Sequence, residues 1–101
     1  MLNLIEDKMD VLHSLCRQYD IQSMYVFGSA AAGTLNSQSD IDILIAFKEI
    51  SFERYTDNFF ALHETLEKLF SRKVDLVTER SLTNPYFRKS IEQTKQLLYA
   101  A

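Results

Sequence analysis

The sequence predicts a single α/β domain of the mixed α+β kind, with a small mixed sheet flanked by helices in the order α-β-α-β-α-β-α. Three observations predict it. Short apolar runs rich in strand formers occur at 24–27, 41–47 and 74–77. The stretches around them carry apolar residues three and four apart, the period of an amphipathic helix. A chain of 101 residues closes one hydrophobic core and not two, so residues 1–101 form one domain.

The elements follow in order. Ile5, Met9, Leu12, Leu15, Cys16 and Tyr19 recur at helical spacing among Glu6, Asp7, Lys8 and Arg17, which predicts an amphipathic helix over 4–19. Met24-Tyr25-Val26-Phe27 stops at Gly28 and is too short for a helix, so it is the first strand. Ala30, Ala31 and Ala32 favour a helical turn that Gly33 ends, before the polar loop Asn36-Ser37-Gln38-Ser39. The run 41–47 has Ile41, Ile43 and Ile45 on one face and Asp42, Leu44 and Ala46 on the other. Both faces are apolar beyond Asp42, as expected of a central strand.

Phe52, Tyr55, Phe59, Leu62, Leu66 and Leu69 then predict a long helix with Ser51 as its N-cap. Residues 74–77 form the third strand. Asn84-Pro85 reads as an N-cap followed by proline at the first helical position, opening a terminal helix expected to bury Phe87, Ile91, Leu98 and Tyr99.

Composition narrows the function classes. Apolar residues make up 47% and charged residues 25% of the chain, too apolar a balance for a disordered segment. A net charge of -3 and a pI near 5.3 argue against nucleic acid as the main partner, because backbone affinity needs clustered Lys and Arg. An acidic protein still binds a phosphate ligand when metal ions neutralise the charge locally. Cys16 is the lone cysteine, read as a small buried hydrophobe. With no membrane-spanning run and no signal-like start in the sequence, a reducing cytoplasm is the expected compartment.

Three features carry chemistry. Both glycines, Gly28 and Gly33, lie just after the first strand. Gly28-Ser29 suits a close backbone approach to a phosphate and equally suits a tight strand-to-helix turn; no Gly-Lys-Ser/Thr follows, so it is not a Walker A loop. Asp40-Ile41-Asp42 opens the central strand, and residues two apart share a face. Two adjacent carboxylates repel unless a proton or cation intervenes, which suggests Mg²⁺; a loop cap plus a solvated strand end is the alternative. Asp75 interrupts an apolar strand and calls for a cation, either a metal shared with Asp40 and Asp42 or one of Arg72, Lys73 and Arg88.

His13 and His63 lack metal-ligand spacing and are expected at the surface or a rim, while Tyr55, Phe59 and Phe60 suit core and interface better than base stacking.

Taken together, Phe27-Gly28-Ser29-Ala30-Ala31-Ala32-Gly33, Ser39-Asp40-Ile41-Asp42-Ile43-Leu44-Ile45 and Val74-Asp75-Leu76-Val77 resemble the minimal nucleotidyltransferase (MNT) family of the DNA polymerase β-like superfamily. The resemblance implies that Asp40, Asp42 and Asp75 ligate Mg²⁺, as two ions, and are catalytic. It implies that Asp75 helps deprotonate the acceptor hydroxyl while Gly28 and Ser29 hold the β- and γ-phosphates of ATP. The implied reaction is in-line attack on the α-phosphate with pyrophosphate leaving. Small proteins of this family are similar to antitoxins paired with a helical HEPN-domain protein, to a tyrosine of which they transfer AMP. Ala32 stands where many members carry Arg, which removes a candidate phosphate contact; Arg54, Arg72 and Lys73 are the substitutes on offer. Two other functions fit the same chain: a non-catalytic module that neutralises or scaffolds a helical partner by contact, and a subunit, in a homo-oligomer, that modifies a small-molecule acceptor.

Overall fold

The computed structural model describes residues 3–34, 36 and 39–101. Four strands form one sheet in the order β3-β2-β1-β4. The strands are β1 (Ile21–Phe27), β2 (Ile41–Phe47), β3 (Val74–Thr78) and β4 (Gln96–Ala100). The helices are α1 (Asn3–Glu6), α2 (Met9–Gln18), α3 (Gly28–Ala32), α4 (Phe52–Phe70) and α5 (Pro85–Thr94), with a 3₁₀ turn at Glu79–Ser81. β1 pairs antiparallel with both β2 and β4, and β2 pairs parallel with β3, so the sheet is mixed. The parallel step needs a long crossover, and α4 supplies it. The polar loop expected at 36–39 lies partly outside the described residues, as do residues 1, 2 and 35.

Period-two alternation divides β2 between two environments. Ile41, Ile43 and Ile45 are fully buried among Leu12, Cys16, Leu62 and Leu66, the inner stripes of α2 and α4. Each such side chain contributes about 1.5–3 kcal/mol relative to exposure. On the other face, Leu44 joins a smaller cluster with Phe27, Leu82 and Ile91. Ser51 caps α4 by accepting from the Arg54 N–H at 3.3 Å, and Asn84 caps α5 by accepting from the Tyr86 N–H at 2.9 Å. Both caps are those the sequence predicts, and β2 has the predicted bounds and a central place.

Two expectations are corrected. The N-terminal helix is interrupted at Asp7 and Lys8, giving α1 and α2. More consequentially, the last helix ends at Thr94, and residues 96–100 are an edge strand. After Ile91 the helical stripe would continue through Thr94 and Lys95, which are polar, and three consecutive apolar residues cannot distinguish helix from strand. The free side of β1 decides the outcome, since β4 satisfies its backbone groups, with Met24 opposite Tyr99 and Tyr25 opposite Leu97. Leu98 is buried as expected, but from a strand. Tyr99 is partly buried and Phe87 is 43% exposed, although its ring meets Phe27 edge-on at 6.2 Å.

Among the described residues, no helix is long and apolar enough to cross a membrane.

Candidate active site

The site is built where β1 ends and β2 and β3 begin. Asp42 lies directly between two register partners, Phe27 on β1 and Asp75 on β3. Adjacent strands are about 5 Å apart, so two carboxylates emerge side by side on one face of the sheet. Asp40, the residue just before β2, lies two residues before Asp42 and shares that face by alternation. The hydrogen bond from the Ile41 N–H to the Lys73 C=O, 3.1 Å, helps fix the parallel register that brings Asp42 beside Asp75.

Gly28 completes the arrangement for a steric reason. Its φ is +67°, and a Cβ added there would collide with a carboxylate oxygen of Asp42 and lie 3.4 Å from Cγ. Glycine therefore permits both the left-handed turn from β1 into α3 and the close approach of backbone to carboxylate. Gly33, at φ +78°, closes α3, with the Thr34 N–H donating to the Ser29 C=O at 3.0 Å. Ser29 is half-buried in the first turn of α3.

The charges oppose one another. Burial, then the Asp75 carboxylate, then that of Asp40, push the Asp42 pKa up to about 6. Asp75 itself is exposed, and among the described residues none of the ion pairs involves it. The expectation that burial obliges Asp75 to find a cation is thus corrected: strand β3 is an edge, and its Asp75 face is open to solvent. Nor are three carboxylates drawn together, for among the described residues no group of three His, Cys, Asp or Glu side chains is gathered as a metal cluster.

The three substitute cations are placed differently. Arg54 pairs with Asp20 at the opposite end of the sheet, so it does not reach the site. Arg72 donates to the C=O of Asn36 at 2.9 Å and of Ser39 at 3.3 Å, tying down the loop that delivers Asp40. Its role is positioning, which residue type alone does not reveal. Lys73 is exposed and shares a face with Asp75 by alternation. Arg88, the remaining candidate partner for Asp75, instead pairs with Glu79 at 3.4 Å.

Other singled-out residues serve the fold. His13 and His63, both half-buried, meet the C=O of Leu98 and of Val74, each at 2.8 Å. Burial pushes the Cys16 thiol up to about 12 against a smaller opposing effect of Arg17, so Cys16 is the inert hydrophobe expected. Tyr55 stacks obliquely on Phe47 at 4.7 Å, and Phe60 is 64% exposed on α4. A cavity of about 490 Å³ opens at the far ends of β2 and β3, lined by Phe47, Lys48, Tyr55 and Arg80, and a second of about 330 Å³ lies between α4 and β3. Neither is lined by Asp40, Asp42 or Asp75.

The mixed sheet that carries the Gly28-Ser29 break and the in-register Asp42–Asp75 pair is that of a nucleotidyltransferase. The chain belongs to the nucleotidyltransferase domain family, whose model matches residues 8–98. It is 42% identical over 76 residues to a Methanocaldococcus jannaschii protein named as a protein adenylyltransferase, covering 75% of each. A solved structure described as a minimal nucleotidyltransferase superposes with a TM-score of 0.70 at 30% identity, covering 94% of this chain and 95% of that one. A chain in the structure of a mutant MntA–HpeT toxin–antitoxin pair matches with a TM-score of 0.69 at 26% identity, covering 100% of this chain and 75% of that one.

Proposed function

We propose that the protein transfers AMP from ATP, with Mg²⁺, to a tyrosine of a helical HEPN-type partner, and acts as the antitoxin of that pair in the cytoplasm. The observation that carries this reading is the in-register Asp42–Asp75 pair with Gly28 pressed against Asp42. The donor set fits the metal: an all-oxygen group of carboxylates, one with its pKa raised by burial and then by its neighbours, is stabilised by a hard divalent cation. Asp40, Asp42 and Asp75 would hold Mg²⁺, which when bound supplies positive charge to the triphosphate and to the oxygens exchanged at phosphorus. The names of the relatives support adenylyl as the group and a toxin as the partner.

The roles of the chain's own residues follow from their placement. The backbone at Gly28 and Ser29, without a Cβ at the first position, accepts the β- and γ-phosphates close to the sheet. Exposed Asp75, on the edge strand, is the carboxylate best placed to take the proton of an incoming phenol. Arg72 keeps Asp40 in reach by holding the preceding loop. Catalysis is then mainly positioning and electrostatics.

A second reading is favoured by Ala32, which stands where many family members carry Arg: neutralisation of the partner by contact alone. One experiment separates the two. The protein is incubated with Mg-ATP and a co-encoded helical partner, and the partner's mass is followed. Adenylyl transfer predicts a gain of one or more AMP units, abolished in the double variant Asp40→Asn, Asp42→Asn; an unmodified partner that the double variant still neutralises supports contact alone.

A further inference from the structure

β3 is an edge strand, and its outer side is guarded everywhere except at one place. The Ile41 N–H to Lys73 C=O bond sets the phase of the parallel ladder, so Asp75 and Val77 turn their backbone groups toward β2 while Val74, Leu76 and Thr78 turn theirs outward. At Val74 both outward groups are taken by α4: the N–H donates to Glu67 at 3.0 Å and the C=O meets the His63 ring at 2.8 Å. At Thr78 the C=O accepts from the Ser81 hydroxyl at 2.8 Å. Between them, the Leu76 N–H and C=O and the Thr78 N–H have no partner among the described residues. Such an open edge is a template for an added strand.

The open stretch borders an apolar groove. Leu76, Thr78, Phe52, Thr56, Phe59 and Phe60 line the cavity of about 330 Å³ between α4 and the edge. Phe52 is 79% and Phe60 64% exposed, although the Phe60 ring meets that of Phe59 edge-on at 5.5 Å. Leu76 points to this groove side, while Asp75 and Val77 point to the carboxylate side.

We propose that this edge is where the acceptor docks: an extended segment of the acceptor protein adds to β3 opposite Leu76, with an apolar residue in the Phe52/Phe60 groove and the adjacent residue's hydroxyl beside Asp75. The proposal rests on the adenylyltransferase reading and names how its acceptor is presented. Backbone pairing at Leu76 gives attachment, and strand alternation sends the next side chain to the opposite face, about 5 Å across from Asp75. The segment therefore carries an apolar residue next to its tyrosine. The phenol oxygen bonds to the α-phosphorus and the bond to the α–β bridging oxygen breaks. Pyrophosphate leaves with that electron pair, and the phenolic proton passes to Asp75. A second copy of this chain is a poorer occupant. Antiparallel pairing of two β3 strands about Leu76 sets their Asp75 carboxylates diagonally adjacent on one face, where like charges destabilise the pair.

The test uses the full-length protein and a co-encoded helical partner as acceptor. Phe60→Glu and Phe52→Glu alter exposed side chains, and Leu76→Pro removes one outward N–H, a change an edge position tolerates. In each, the acceptor KM is expected to rise at least tenfold while the Kd for Mg-ATP is unchanged. In the parent protein, partner binding should slow hydrogen exchange of the Leu76 amide. Should Leu76→Pro fail to fold, the two Phe variants and the exchange measurement decide. An unchanged acceptor KM in the Phe variants, or unprotected Leu76 in the complex, overturns the docking proposal and leaves adenylyl transfer standing. No transfer by the parent protein to the partner overturns both.

Discussion

The two faces of β2 divide the labour of the molecule. One face presents Ile41, Ile43 and Ile45, all fully buried under α2 and α4. The other begins with half-buried Asp42 and continues into a cluster of only four buried residues beneath α5. Seven consecutive residues thus supply both the centre of the core and a site whose charges are unfavourable to the fold. Substitutions on alternate residues should affect different properties, and that separation can be broken or sharpened by experiment.

The largest effect is expected on the polar face. Asp42→Asn removes a proposed metal ligand and should lower AMP transfer about 10³-fold, the scale of losing a central electrostatic contact in a transfer reaction. Its metal-free melting temperature at neutral pH should not fall, because Asn relieves repulsion from Asp75 and Asp40. One position along, Ile43→Ala should do the reverse. It creates a cavity in the main core and costs about 2–5 kcal/mol by chemical denaturation, with nucleotide affinity retained by the folded fraction. Equal destabilisation by both variants would dissolve the distinction between the faces.

Much of this division is legible in the sequence, because strand alternation is a period-two signal that residue types record directly. The run 41–47 shows its isoleucine face, its Asp42 face and its central place without coordinates, and Gly-Ser with Asp-x-Asp marks the site end. What escapes the sequence is set by tertiary competition. Leu97-Leu98-Tyr99 becomes a strand because β1 has an unpaired side, a fact no local pattern contains. Asp75 reads as buried because its neighbours are apolar, yet an edge strand exposes one face. The clash that makes Gly28 necessary involves Asp42, fourteen residues away and met only through strand pairing. Arg72 is recognisable as a cation, but its grip on two loop carbonyls depends on the turn at Ser71, whose φ is +52°.

Gly28→Ala probes the junction of the two regions. The added methyl meets the Asp42 carboxylate at a left-handed residue, so a cost of about 1–3 kcal/mol is expected together with weaker Mg-ATP binding. Combination with Asp42→Ala should restore part of the stability and none of the activity. Full additivity would mean that the methyl does not act through Asp42.

Acidity sharpens the same point. Asp42 has a folded pKa near 6 against an ordinary value of 3.8, so between these values the folded state binds the extra proton. In the metal-free protein this contributes stability that is fully present below pH 3.8 and lost as pH rises through about 6. Mg²⁺ held by Asp42, as proposed, would compete with that proton. The Mg²⁺ concentration for half-maximal transfer should therefore climb as pH drops below about 6, steepening toward tenfold per unit, and Asp42→Asn should abolish the metal-free trend in stability.

The smallest effect belongs to the end of the sheet farthest from the carboxylates. Arg54 pairs with Asp20 there, and its side chain is 63% exposed. An exposed ion pair contributes about 0.2–1 kcal/mol, so Arg54→Ala should lower the melting temperature slightly, more at low salt than at high. Transfer and the Kd for Mg-ATP should stay within twofold of the parent. Arg72→Ala is the informative contrast: loss of its bonds to the Asn36 and Ser39 carbonyls frees the loop before Asp40 and should raise the Mg²⁺ requirement. A large loss of transfer in Arg54→Ala would place a guanidinium at the triphosphate after all, and would require the two ends of β2 to act together.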